Sequence, residues 1–184
     1  MSDGMFRTVS GLRSGYDPDE VDEFFEHARL VYEQGPPGTV SGKDVRDVAF
    51  EMVRGGYVTS AVDSALDRLE AAFVARERAE FVAEHGQQAW MDKLGEHART
   101  LYGRLSRPDG DRFAPPEGRH VGYEAADVDA LCHKLVGFFD NGVALTAAEV
   151  RAVTFRRRKG RDAYGRQAVD AFVGRAVEVL LGVE

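Results

Sequence analysis

The residues in this 184-residue chain whose types and spacing suit chemistry are few. The densest charge is Arg156-Arg157-Arg158-Lys159-Gly160-Arg161, five cations in six residues. Such a run reads first as a solvated loop, then as a contact for anionic lipid headgroups or an acidic partner, and last as one for nucleic-acid phosphates. Carboxylates crowd the stretch Asp17 to Glu26, where a cation site or an acid pair competes with ordinary helix-start chemistry, because negative charge is favoured at a helix N-terminus. Cys132 is the one cysteine, which excludes an intramolecular disulfide and a multi-thiolate zinc site. No base stands near it at a useful spacing, so a buried structural thiol is expected. His27, His85, His97 and His120 show no i, i+4 pairing, and His133 falls at a position expected to be exposed. No Gly-rich phosphate loop, Ser elbow or zinc motif is visible. The sequence therefore predicts no enzyme, no cofactor and no metal.

The elements that must position these residues emerge from an internal repeat. Tyr, four residues, then Val-Asp occurs four times: Tyr16/Val21/Asp22, Tyr57/Val62/Asp63, Tyr123/Val128/Asp129 and Tyr164/Val169/Asp170. The Tyr-to-Tyr steps are 41, 66 and 41, so two pairs of copies are offset by 107 residues. Phe6 maps on Phe113, Gly15 on Gly122 and Arg68 on Arg175 at the same offset. Asp44 to Phe50 matches Glu149 to Phe155 at offset 105, and the difference sits in a longer loop, Arg156 to Ala163.

Helix-start chemistry explains the motif. With the residue after each Tyr as N-cap, Tyr is N′ and Val is N4, the spacing of a hydrophobic staple. Asp17-Pro18-Asp19-Glu20 supplies a capping carboxylate, Pro at N1 and an acid at N3. Val58 and Gly165 lack a capping side chain, which allows those two starts to slip by a residue or two. Apolar residues continue at i, i+3, i+4 and i+7: Val21/Phe24/Phe25/Ala28, Val62/Ala65/Leu66/Leu69, Val128/Leu131/Cys132/Leu135 and Val169/Phe172/Val173/Ala176. Phe6 and Phe113 are expected in the core. Short helices are expected over 43–53 and 147–155, and long ones over 58–84 and 87–106. Gly35-Pro36-Pro37-Gly38 and the stretch from Arg107 to Pro116 are breakers.

The expected fold is all-α: a tandem duplication of a three-helix unit with pseudo-twofold symmetry, over 5–75 and 112–184, joined by a helical connector at 76–107. Two similar units in one chain would then mimic a dimer of single units. Composition agrees with a soluble globular chain, 43% hydrophobic and 30% charged. The net charge of −7 argues against indiscriminate nucleic-acid coating. Residues 1–107 carry 13 basic and 19 acidic groups, and 108–184 carry 11 and 12. No window approaches the roughly 18 apolar residues of a spanning helix, and Met1-Ser2-Asp3-Gly4 lacks a signal-peptide layout, so a cytoplasmic location is expected.

Leu12 to Glu26, reading Leu-Arg-Ser-Gly-Tyr-Asp-Pro-Asp-Glu-Val-Asp-Glu-Phe-Phe-Glu, resembles the N-terminal signature of the DivIVA family of bacterial cell-division and polar-growth scaffolds. Val53-Arg54-Gly55-Gly56-Tyr57 with Val62-Asp63 looks like a weaker instance, and paired motifs are similar to the repeats of actinobacterial DivIVA-domain proteins. The resemblance implies an apolar residue and an Arg that touch the inner face of the cytoplasmic membrane: here Leu12 with Arg13, and Val53 with Arg54. It further implies division or polar scaffold proteins as partners, at septum or pole. The later copies carry Arg119-His120 and Lys159-Gly160 instead. The spacing Val62, Leu66, Leu69, Phe73 meets Arg76 and Glu80, so fewer than two heptads run before the seam becomes charged, and polymerisation through a coiled coil is not expected. Two readings from other classes stand beside this one. A nucleic-acid-associated regulator would use residues 156–161, and a small-molecule-binding helical domain would show a pocket near the tyrosines.

Overall fold

The computed structural model describes residues 4–36 and 39–184; Met1 to Asp3, where the signal-peptide reading falls, and Pro37 and Gly38 of the first breaker lie outside the described residues. The described residues form mainly helices, seven in all, together with two small antiparallel sheets. The sheets correct the all-α expectation. Their strands are two or three residues long, too short for an alternating side-chain pattern, and backbone pairing between distant segments creates them.

The chain divides into two compact units, 1–84 and 85–184, so the boundary falls inside the expected connector. In the first unit, β1 (Ser14–Tyr16) leads into α1 (Pro18–Gln34); α2 (Gly42–Asp47) and β2 (Met52–Arg54) follow, then α3 (Thr59–His85). β1 and β2 pair antiparallel with Ser14 opposite Arg54, Gly15 opposite Val53 and Tyr16 opposite Met52. In the second unit α4 (Gln87–Leu105) precedes β3 (Gly122–Glu124), α5 (Ala125–Asn141), α6 (Ala147–Arg151), β4 (Arg157–Arg158), β5 (Ala163–Tyr164) and α7 (Arg166–Val183). β3 lies between β4 and β5.

Each motif helix begins two residues after its Tyr, at Pro18, Thr59, Ala125 and Arg166, so no start slips. Asp17 caps α1 by accepting from the Asp19 and Glu20 amides at 2.9 and 3.3 Å. α3 and α7 hold their register without a capping side chain because the preceding tyrosines are already fixed by backbone pairing. Reciprocal capping boxes, Ser41 with Asp44 and Thr146 with Glu149, open α2 and α6. Both helices are shorter than the sequence predicts. After α2 the chain turns extended at Val48, so that residues 52–54 can reach β1; after α6 residues 157–158 likewise reach β3. Gly86, at φ 88°, separates α3 from α4.

The motif valines Val21, Val62, Val128 and Val169 have no exposed surface, and Cys132 lies with them in the buried set. Burial of each such side chain contributes about 1.5–3 kcal/mol. In the first unit one cluster joins Val21, Tyr57 and Val62, and another joins Ala28, Val31, Val45 and Phe73. In the second unit α4 packs on α7: the Trp90 indole N–H donates to the Gly182 carbonyl at 2.9 Å, and a Cβ at Gly182 would meet Leu94 at 2.5 Å.

Candidate contact surfaces and the tyrosine clasps

The motif tyrosines pair with one another through the backbone. In the first unit Tyr16 N–H donates to Tyr57 O at 3.0 Å and Tyr57 N–H to Tyr16 O at 2.7 Å. This approach requires glycine next door: a Cβ on Gly15 would stand 2.1 Å from Tyr57 O. Side chains then cross between copies. The Tyr57 hydroxyl donates to the Asp22 carboxylate at 2.9 to 3.0 Å, and the Tyr16 hydroxyl bonds Asp63. Burial, then the neighbouring carboxylate, raises both phenols above their ordinary value. The Asp of the motif is thus the acceptor for the tyrosine of the other copy, a role that dipole chemistry at its own helix did not predict.

The second unit repeats half of this exchange and elaborates it. Tyr123 pairs with Tyr164 across β3 and β5, and a Cβ on Gly122 would stand 2.2 Å from Tyr164 O. The Tyr164 hydroxyl donates to Asp129 at 3.1 to 3.2 Å. Buried Arg112 bridges Asp129, at 2.7 Å, and Asp109; its amide donates to the Tyr164 hydroxyl at 3.2 Å, and the Gly110 amide donates to Asp129 at 2.9 Å. Arg112 and then His133 hold the Asp109 carboxyl below the usual range, and burial foremost pushes the Tyr164 phenol up to about 12. The other half differs: Tyr123 bonds Arg166, whose guanidinium lies 5.5 Å over its ring, and Asp170 is exposed. The Phe6 ring meets those of Phe25 and Tyr57 at tilted to edge-on angles with centroids 5.3 and 5.4 Å away, and Phe113 meets Tyr164 and Phe172 edge-on, both at 5.3 Å.

The N3 carboxylates do more than start helices. Glu20 accepts from the Glu51 amide at 2.8 Å, and Asp127 from the Arg156 amide at 2.9 Å, so each ties its helix to the returning strand. Arg76, where the apolar seam of α3 turns charged, donates to the carbonyls of Val31, Tyr32 and Gly35 at 2.8, 2.7 and 2.9 Å and caps the end of α1.

The structure brings Leu12, Arg13 and Arg54 to one end of the β1–β2 sheet. Leu12 is 82% exposed on the turn made by Gly11, at φ 68°. Arg13 accepts the Gly55 amide at 3.0 Å through its carbonyl, and both Arg13 and Arg54 side chains are exposed. Val53 is half-buried, whereas Met52, which no motif marked, is 55% exposed. In the second unit Arg157 stands opposite Tyr123 and Arg158 opposite Gly122, the places Met52 and Val53 take against Tyr16 and Gly15. The basic run is therefore partly a strand. Arg156 pairs with Asp127 at 2.7 Å, and Arg158 with Asp162 at 3.1 Å and Glu124 at 3.7 Å. Arg157, Lys159 and Arg161 are exposed and form no ion pair among the described residues.

Cys132 is buried, and burial pushes its thiol up to about 12, so it is not a nucleophile at neutral pH. One concavity is lined by Asp109, Glu124, Asp129, His133, Arg161 and Asp162, and an apolar groove by Leu131, Val143, Leu145 and Val153. Among the described residues no group of three His, Cys, Asp or Glu side chains is placed to hold a metal ion. No described helix is long and apolar enough to cross a membrane. No family model, curated protein or solved structure matches the chain.

Proposed function

We propose that the chain is a non-catalytic adaptor of the DivIVA-domain type, acting at the division site or growing pole through protein contacts and through peripheral contact with an anionic membrane surface. The observation that carries this reading is the exposed Leu12 beside Arg13 and Arg54 at one end of the β1–β2 sheet. A fully exposed leucine in water gains about 1.5–3 kcal/mol on burial, and each cation near an anionic surface adds roughly 1 kcal/mol. The sum, about 4 kcal/mol, corresponds to about millimolar binding. The membrane contact is therefore reversible, and a protein partner is needed to fix the location.

The two units descend from a tandem duplication. Support comes from paired geometry: Tyr57 on Asp22 and Tyr164 on Asp129, the rings of Tyr16 and Phe50 at 5.5 Å and of Tyr123 and Phe155 at 5.1 Å, and a capping box in each unit. A crystal structure in which residues 5–75 and 112–182 fail to superpose would overturn the duplication.

Vesicle flotation tests the membrane contact. The full chain is expected to float with phosphatidylglycerol vesicles at low salt and not with phosphatidylcholine vesicles, and L12D/R54E is expected to lose the anionic binding. Equal recovery of the two proteins, or no flotation of either, counts against the reading.

A further inference from the structure

The tyrosine clasps account for none of the apolar lining of the groove in the second unit. This groove measures about 680 Å³ and lies between α5, the turn that follows it and α6. Leu131 lines it from the core, Leu145 and Val153 are half-buried along it, and Val143 is 57% exposed on its wall. Size and lining are those of a small-ligand site, which commonly measures about 300–1,000 Å³ and is mainly apolar with a few polar groups.

Gly137 keeps the groove open. Glycine inside a helix is destabilising relative to alanine, because it has more backbone freedom to lose on folding. No crowding demands it here, since a Cβ at Gly137 would meet Val143 at 3.6 Å, an ordinary contact. The matched position of the first unit, at offset 107, carries Leu30. Charge then sets what the groove takes. Its ionisable lining is His133, Lys134 and Glu149. The Glu149 carboxylate accepts from the Thr146 amide at 2.8 Å and hydroxyl at 2.9 Å, and His133 bonds Asp109 at 3.0 Å. Lys134 is exposed and forms no hydrogen bond or ion pair among the described residues, which leaves one uncommitted ammonium beside an apolar trough.

We propose that this groove is a binding site for a hydrocarbon-chain carboxylate of the fatty-acid class. The chain lies against Leu131, Val143, Leu145 and Val153, in the space left by Gly137, and the carboxylate meets the Lys134 ammonium. One cation beside an aliphatic lining matches one anionic head on an aliphatic chain. Every residue of the site belongs to the second unit, so the inference does not depend on the membrane contact proposed for Leu12 in the first.

Amide chemical shifts of the isotope-labelled full chain, followed during titration with sodium decanoate, test it. Saturable shifts centred on Gly137, Val143 and Leu145 are expected. Decyltrimethylammonium, with the same chain length, is expected to bind at least about threefold more weakly, the size of one exposed charge contact. The net charge of −7 would by itself favour the cationic probe, so a preference for decanoate reports the head group at Lys134. K134E is expected to reverse the order of the two probes. G137L and, from the α6 side, A152L fill the groove, and each is expected to weaken decanoate binding at least about tenfold while keeping wild-type helical circular dichroism. No saturable shifts, shifts centred elsewhere, a probe order that K134E leaves unchanged, or decanoate binding that survives both filling variants overturns the proposal.

Discussion

Tyr57 and Tyr164 occupy matched places with unequal surroundings. Tyr57 donates a hydrogen bond to a partly buried Asp22, whereas Tyr164 both donates to buried Asp129 and accepts from the Arg112 amide. Tyr57→Phe is expected to cost about 1.5 kcal/mol in urea denaturation, and Tyr164→Phe nearer 3, because the latter also orphans a buried N–H. Alkaline pH tests the same group. The folded state raises the Tyr164 phenol from its ordinary 10.0 to about 12, so its contribution is fully present below pH 10 and is lost as pH rises towards 12. Tyrosinate absorbance at high pH is expected to end on a last-titrating tyrosine near pH 12 that Tyr164→Phe removes while other raised tyrosines remain; titration of all tyrosines together near pH 10 would contradict the clasp. Arg112→Met, which installs the residue found at the matched position Met5, breaks a buried ion pair and is expected to cost about 3–5 kcal/mol.

Among the elements, the glycines before the tyrosines carry the sheets. Gly15→Ala and Gly122→Ala each thrust a Cβ to within 2.1 to 2.2 Å of a carbonyl, and are expected to cost about 3 kcal/mol or more. Gly11→Ala meets nothing within 4 Å and carries only the strain of its positive φ, about 1 kcal/mol. Thermal denaturation of the three variants ranks them directly, and an equal loss for all would refute the backbone account. The same contrast explains what the sequence reveals. Helix starts at Pro18, Thr59, Ala125 and Arg166 are legible because the Tyr-to-Val staple and the Asp17 cap are written within a few residues. The strands are not, since β1 and β2 exist only through each other across the intervening α1 and α2. Leu12 and Arg13 are singled out in the sequence only by the resemblance of residues 12–26 to the DivIVA signature, and the structure places both on the exposed turn before β1. Met52, Arg76 and Arg112 are missed because their roles depend on partners that only folding brings near.

At the scale of the whole molecule, each unit holds its own core and its own clasp, so damage should stay local. Native-state hydrogen exchange is expected to show Tyr57→Phe lowering protection in α1 and α3, and Tyr164→Phe in α5 and α7, each leaving the other unit near wild type. Uniform loss in both units would mean that the chain unfolds as one cooperative body. The same division accounts for function as proposed: the first unit offers exposed Leu12 with Arg13 and Arg54, and the second has exposed cations on β4 and in the turn that leads from it to β5. The most direct measurement is the position of the full chain, fused to a fluorescent protein, in dividing cells of its source organism. Wild type is expected to concentrate at the septum or pole, and L12D/R54E to become diffuse at equal abundance; a uniform cytosolic signal from the wild-type fusion would contradict the account.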